Sequence, residues 1–252
     1  GSMYGVLDFY RTMKENGIHP VIGCEVYVAQ RSRKDKDGAL DREPYHLILL
    51  AENNVGYHHL IKLVSAGHVD GFYYKPRIDK EVLAEYSQGL IALSACLSGE
   101  VPRLLLAGER DRAIEAALEH QKLFGEGNYF LEIQGNGLED QALVNAELIS
   151  ISRETGIPLV ATNDCHYLLR EDAFAHEVLL CMQTGKTINS PDRMRMGTDT
   201  LYIRSPSEME ELFAKVPEAL ANTERIAARC QVEIKTGEIS LPQFETGTGE
   251  TA

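Results

Sequence analysis

The stretch Gly156-Ile157-Pro158-Leu159-Val160-Ala161-Thr162-Asn163-Asp164-Cys165-His166-Tyr167 closes one helical pattern, crosses a short apolar run and arrives at two ligand-type side chains. Gly156 is a helix stop, because glycine tolerates the left-handed conformation that ends a helix. The run from residue 157 to 162 is apolar and too short for a helix, so it reads as a buried strand. Asp164 and His166 stand two residues apart, and on extended backbone such side chains point to the same side. Together they can reach one cation or an adjacent pair. Carboxylate oxygen with imidazole nitrogen suits zinc, manganese or iron. An Asp-x-His triplet also arises by chance, so the pair requires partners elsewhere in the chain.

Outward from that strand, the chain alternates strands with helices. An opening helix with apolar Val6, Leu7, Phe9, Tyr10 and Met13 stops at Asn16-Gly17. Strands are expected over residues 20–29, 45–51, 89–94, 128–134 and 158–162, with a short one over 200–204. Between them, helices are expected over residues 53–67, 109–124, 139–155 and 171–183, the first capped by Asn53 or Asn54. The segment 30–43 is polar and the aromatic segment 71–77 reads as a loop. So many strand and helix units argue for an α/β fold with mainly parallel strands, as a barrel or an open sheet. No Gly-x-Gly-x-x-Gly or Walker-type loop follows a strand, which disfavours dinucleotide and P-loop folds. From Ser205 onward the rhythm changes to helices near 207–214 and 217–230 and a turn-rich end at 242–250. The expected division is therefore a domain over 1–204 and a helical connector over 205–252.

With 252 residues, 44% of them hydrophobic and 25% charged, the chain is long enough for a substantial core. A formal charge of -13 repels phosphate backbones at long range, so the chain is not by itself a DNA clamp. Three basic clusters, Arg31-Ser32-Arg33-Lys34, Lys75-Pro76-Arg77 and Arg193-Met194-Arg195, read first as solvated loop charges. The five cysteines are scattered without a Cys-x-x-Cys pair, which favours reduced thiols. No membrane-spanning run or secretory leader is visible, so a cytoplasmic location is expected and no membrane partner.

Other ligand-type residues fall where strands meet loops, the place where an α/β barrel puts its chemistry. Glu25 is the lone charge in an apolar strand, so it is either metal-bound or paired with an arginine. His46 lies among aliphatics, where a satisfied core histidine is the commoner reading. Cys96, in the turn after a strand, is a possible thiolate ligand or simply a small buried apolar residue. His19, His58, His59, His68, His120 and His176 have no partner at ligand spacing and read as structural or exposed.

Six segments join these residues in one order. They are GSMYGVLDFY (1–10), PVIGCEVYVA (20–29), YHLILLAENNVGYHHLIKLVSAGHVDGFYYKPRID (45–79), GLIALSACLSGEVPRLLL (89–106), GIPLVATNDCHYLLREDAFAHEVLLCMQTGKT (156–187) and RMRMGTDTLYIRSPSEMEELF (193–213). Together they resemble the polymerase and histidinol phosphatase (PHP) family of metal-dependent phosphoesterases, most closely the branch carried by bacterial replicative DNA polymerases. The resemblance implies a distorted seven-stranded α/β barrel whose strand ends hold up to three metal ions. Five of the family's nine ligand positions have counterparts here: Glu25, His46, Cys96, Asp164 and His166. The other four precede Gly1 in relatives, as do the first two strands, so an N-terminally truncated barrel is expected. Where Gly135-Asn136 stands, many relatives carry Asp-His, outside the ligand set.

The resemblance further implies divalent metal ions, zinc foremost with manganese or iron as alternatives. It implies a 3′ to 5′ exonuclease-type phosphoesterase centre, incomplete in this chain, within a DNA-directed DNA polymerase whose palm lies beyond Ala252. The implied partners are DNA and other replicase subunits such as a proofreading exonuclease. Two alternatives stand beside this reading: a non-catalytic scaffold that supports the polymerase and docks the proofreading subunit, and a free-standing PHP phosphatase.

Overall fold

The computed structural model describes residues 1–237. The expected turn-rich end at 242–250 lies outside them. In chain order the elements are α1 (Val6–Glu15), β1 (Gly23–Val28), β2 (Tyr45–Ala51), α2 (Asn54–Val69), β3 (Phe72–Tyr73), β4 (Lys75–Ile78), α3 (Lys80–Glu85), β5 (Leu90–Leu93), α4 (Glu100–Leu106), α5 (Arg110–Phe124), β6 (Tyr129–Gln134), α6 (Glu139–Thr155), β7 (Leu159–Thr162), α7 (Ala173–Thr184), α8 (Pro206–Leu212) and α9 (Pro217–Arg229). The fold is mixed α/β. Its strands follow the order β3-β4-β1-β2-β5-β6-β7, and among the described residues no ladder joins β3 to β7.

The pairing differs from a mainly parallel sheet. β1 with β4, β5 with β6 and β6 with β7 are parallel, whereas β3 with β4, β1 with β2 and β2 with β5 are antiparallel. The cause lies in residues 29–44, which form no helix and cannot carry the chain back across a sheet face, so β2 returns beside β1 in the opposite direction. The aromatic segment read as a loop is the β3–β4 hairpin, turning at Tyr74, whose φ is +58°. The strand expected over 200–204 is reduced to one bridge between Tyr167 and Tyr202.

Alternation along the strands divides the apolar residues between two faces. Cys24, Val26 and Val28 of β1, Leu47, Leu49 and Ala51 of β2, and Tyr129, Leu131 and Ile133 of β6 belong to the large core shared with the helices. The opposite face gathers Ile91, Leu93, Phe130 and Val160, with Ile48 and Leu50 alongside. Ile226 of α9 and Cys230, which caps the helix at its C-terminal end, insert into this second cluster. Asn222 of the same helix donates to the Leu159 carbonyl at 2.7 Å, and Arg229 pairs with Glu52 at 2.8 Å.

Two local devices fix this framework. Asn53 caps α2 by accepting from the Gly56 amide at 3.1 Å. Gly56 has no room for a side chain, since a Cβ there would lie 1.7 Å from the Gly89 carbonyl oxygen. The second device is Arg77, which is fully buried rather than solvated. Its guanidinium donates to the carbonyls of Gly71, Asp41, Arg33 and Asp35 at 2.7–3.1 Å and straps the 30–44 loop to β4. Arg33 adds a 2.9 Å ion pair to Asp79, the cap of α3. These two basic clusters are therefore structural. None of the five cysteines is bonded to another, and no described helix is long and apolar enough to cross a membrane.

Candidate metal centre

Glu25 and His46 meet because β1 and β2 pair in register. Glu25 faces Ile48 and Tyr27 faces His46 across the ladder, so the two polar side chains lie diagonally on one face. The His46 Nδ1 is 3.1 Å from Glu25 Oε1 and 3.7 Å from the Cys96 Sγ. Glu25 is thus paired with a histidine, not with an arginine. Burial works against a charged His46, but its bonds to Cys96 and Glu25 outweigh this and raise its pKa to about 9. The same bond to His46 holds the Glu25 carboxyl below its ordinary range.

Cys96 is delivered by a turn that the sequence makes unusually tight. Ala95 sits at φ +64°, and Gly99 could bear no Cβ, which would lie 2.1 Å from the Ser94 carbonyl. The Gly99 amide closes the turn on the Cys96 carbonyl at 2.8 Å, and the His46 amide donates to Ser98 at 3.0 Å.

The second pair follows β7. Asp164 occupies the left-handed region at φ +48°, which aspartate tolerates better than most residues. This conformation interrupts the simple alternation expected of an extended Asp-x-His segment. His166 Nδ1 lies 2.7 Å from the Asp164 carbonyl oxygen and 4.0 Å from its Oδ1. A carbonyl only accepts, so Nδ1 carries the proton and the Nε2 lone pair is free for a cation. Burial first, and the nearby Glu25 charge, push the Asp164 carboxyl up. His166 helps to depress Glu25, and Glu25 helps to raise Asp164.

The structure therefore gathers Glu25, His46 and Cys96 into one contact group, and Asp164 and His166 form a separate pair within electrostatic reach of it. Among the described residues no group of three or more His, Cys, Asp or Glu side chains is closed around one ion position. The donor set still fits a cation chemically, with two carboxylates, two imidazoles and one thiol. The Glu25–His46–Cys96 bonds are those of an imidazolium, whose proton a cation would replace.

Two neighbours escaped the sequence reading. Glu132 on β6 is only 4% exposed and stands beside the site. The Thr162 hydroxyl donates to its Oε1 at 2.5 Å and the Gln134 amide at 3.4 Å, while Oε2 has no partner among the described residues. Burial raises its pKa to about 7, against those two bonds, and the Asp164 charge adds to the rise. A lone charge within YFLEIQ was the available signal, the same one that marked Glu25. His176 carried no such signal; its ring packs 5.4 Å from His166 and 5.5 Å from Tyr167. His120, by contrast, is a buried structural residue, bonded to Glu100 at 2.9 Å and stacked on Tyr129.

With this geometry in hand, the chain proves similar to known proteins. The PHP domain family model matches residues 1–136, a stretch that includes Glu25, His46 and Cys96, and the chain belongs to that family. Its similarity to the DNA polymerase III subunit alpha of Treponema pallidum is 44% identity over 246 residues, covering 97% of this chain and 21% of that protein. The DNA polymerase III subunit alpha of Borreliella burgdorferi is 47% identical over 231 residues, 91% of this chain and 20% of its own length. That of Thermus aquaticus is 40% identical over 259 residues, 100% of this chain and 21% of its own length. The chain spans about a fifth of the length of these curated relatives.

Proposed function

We propose that this chain is part of the alpha subunit of a replicative DNA polymerase III, a DNA-directed DNA polymerase, and supplies its PHP domain with a metal-dependent 3′ to 5′ exonuclease-type centre. The observation that carries the reading is the mutual contact of Glu25, His46 and Cys96, with Asp164 and His166 near enough that charge acts between them and Glu25. Divalent ions are the proposed cofactors, zinc foremost because a thiol is among the donors, with manganese or iron as alternatives. The ligands would be Glu25, His46, Cys96, Asp164 and His166. The chemistry supplied by such ions, when bound, is polarisation of a phosphate oxygen and activation of water.

The protein's own side chains prepare that chemistry. The Asp164 carbonyl fixes the His166 tautomer. Glu25 orients His46. Glu132, buried and within reach of the Asp164 charge, exchanges its proton near neutrality. We propose that the seven strands form the family's distorted barrel, with residues 1–204 as the PHP domain and 205–252 as the connector to the rest of the polymerase. DNA and further replicase subunits, including a proofreading exonuclease, are the proposed partners, in the cytoplasm.

The test compares the full-length protein with its Asp164→Ala and His166→Ala variants by metal analysis and by digestion of a mismatched primer. Loss of metal and of digestion is expected. Unchanged metal content and digestion in both variants would refute the catalytic reading.

A second reading is favoured by one observation: Glu25, His46 and Cys96 bond to one another rather than around a common point. On it the domain is a scaffold that supports the polymerase and docks the proofreading subunit. It predicts that both substitutions lower the melting temperature while digestion is absent from the parent as well. A free-standing phosphatase is the weakest reading, because the similarity to polymerase subunits extends over 97% of the chain.

A further inference from the structure

Beside His166 and separate from the five ligand candidates lies a cleft of about 370 Å³ between the start of α7 and the 195–199 loop. Its lining combines aromatic rings with one uncommitted cation. Phe174 is 65% exposed at its rim although it is a large apolar residue. Tyr167 and His176 form the wall shared with the candidate metal centre, their rings 5.5 Å apart.

The charge in the cleft is positive in effect. The Glu177 carboxylate is taken by Arg193, 2.6 Å away, and Asp199 by Arg170, 2.9 Å away. Arg195 has no ion pair or hydrogen bond among the described residues, and its side chain is exposed. The cleft thus sets an unpaired guanidinium beside the exposed Phe174 ring and the half-buried Tyr167, in a chain of net charge -13. Rings bind nucleobases by stacking, without regard to sequence, and a guanidinium binds the phosphate in a forked geometry.

We propose that this cleft is a nucleotide subsite that holds the terminal nucleotide of a single DNA strand, its base against Phe174 and Tyr167 and its phosphate on Arg195. The inference rests on the phosphoesterase reading for the identity of the strand, and it deepens that reading by naming what positions the scissile phosphate. His176, touching both the His166 ring and the cleft, is the positioning residue between them.

The test uses the full-length protein in EDTA, so that binding is read without metal. The probe is a single-stranded oligonucleotide ending in 5-iododeoxyuridine, crosslinked by light, with the adducts located by peptide mass spectrometry. Adducts are expected within residues 167–196. Phe174→Ala and Arg195→Ala should each reduce adduct yield at subsaturating probe by about tenfold. Arg195→Ala should also lower the salt dependence of crosslinking by about one phosphate contact. Asp164→Ala should leave the adducts in place, so failure of the metal reading is seen separately, as metal content and digestion that Asp164→Ala leaves unchanged while the cleft variants still lose crosslinking. Absence of adducts from 167–196, or yields unchanged in both cleft variants, would overturn the proposal.

Discussion

Replacing Glu132 by glutamine removes a charge without changing the shape of the side chain, and its effect should depend on pH in a definite direction. The Glu132 carboxyl titrates at about 7 in the folded chain against 4.5 for an unperturbed glutamate. The folded state therefore holds its proton more tightly than the unfolded state. Stability from this group is fully present below pH 4.5 and is lost as pH rises through about 7. Each pH interval of one between the two values is worth about 1.4 kcal/mol. The parent should thus have lost roughly 1 kcal/mol by pH 5 and about 3 kcal/mol by pH 8. Glutamine still accepts from Thr162 and Gln134, and whatever its new amide protons cost in the dry site is the same at either pH. The difference between variant and parent should therefore shift in favour of Glu132→Gln by about 2.5 kcal/mol from pH 5 to pH 8. Urea unfolding in the presence of EDTA at the two pH values measures this. A variant whose stability runs parallel to the parent's would refute the argument that Glu132 is buried without a counter-charge.

Three further outcomes follow from described contacts. Gly56→Ala places a Cβ 1.7 Å from the Gly89 carbonyl and should lower stability by about 3 kcal/mol, a fall in Tm of roughly 5–10 °C; Gly5→Ala, with open space around it, should not, and equal melts for the two would count against the close approach. Arg77→Met strands four carbonyls inside the strap over β4 and should cost about 3–5 kcal/mol by thermal melt, with Arg77→Lys failing to restore it because an ammonium cannot span the fork. Burial pushes the Glu100 carboxyl up, but its bonds to His120 and Lys80 prevail and hold it at about 2, so its stabilisation is present above pH 4.5 and is lost as pH falls towards 2. Between pH 4.5 and 3 the parent should lose about 1.5 kcal/mol that Glu100→Gln does not, and identical acid limbs in the two unfolding series would contradict the pairing.

Much of the framework was legible because apolar periodicity and end signals coincide. The strand over 45–51 and the helix over 139–155 are found where the pattern puts them, and Gly156 ends its helix in the left-handed conformation. Shorter elements were not legible. α3 and α4, at 6 and 7 residues, span too few turns for a periodicity to show. Strand direction was hidden as well, since it depends on whether residues 29–44 cross a sheet face, and polar composition does not say so.

At the site, Glu25 and His46 stood out as polar groups in apolar strands and Cys96 as a thiol in the turn after a strand, and the structure brings these three into contact. The partnership of Glu25 with a histidine depended on the β1–β2 register, a long-range property. Glu132 gave the same local signal, yet it sits in a strand whose six residues are all buried, where position alone does not separate a site wall from a core. Arg77 shows the limit of charge patterning: the sequence marks a cation, but only the carbonyls that converge on it reveal an interior strap.

The insertion of α9 bears on how the chain could be shortened. Ile226 and Cys230 stand against Leu93, Phe130 and Val160, so the helix serves as the stopper at one end of the sheet's second face. A cut placed at the change of rhythm near residue 205 would remove that stopper and open the apolar cluster to water. A shortened version that is to be compared with the whole should therefore keep the chain at least through Cys230, however clearly the sequence pattern invites an earlier boundary.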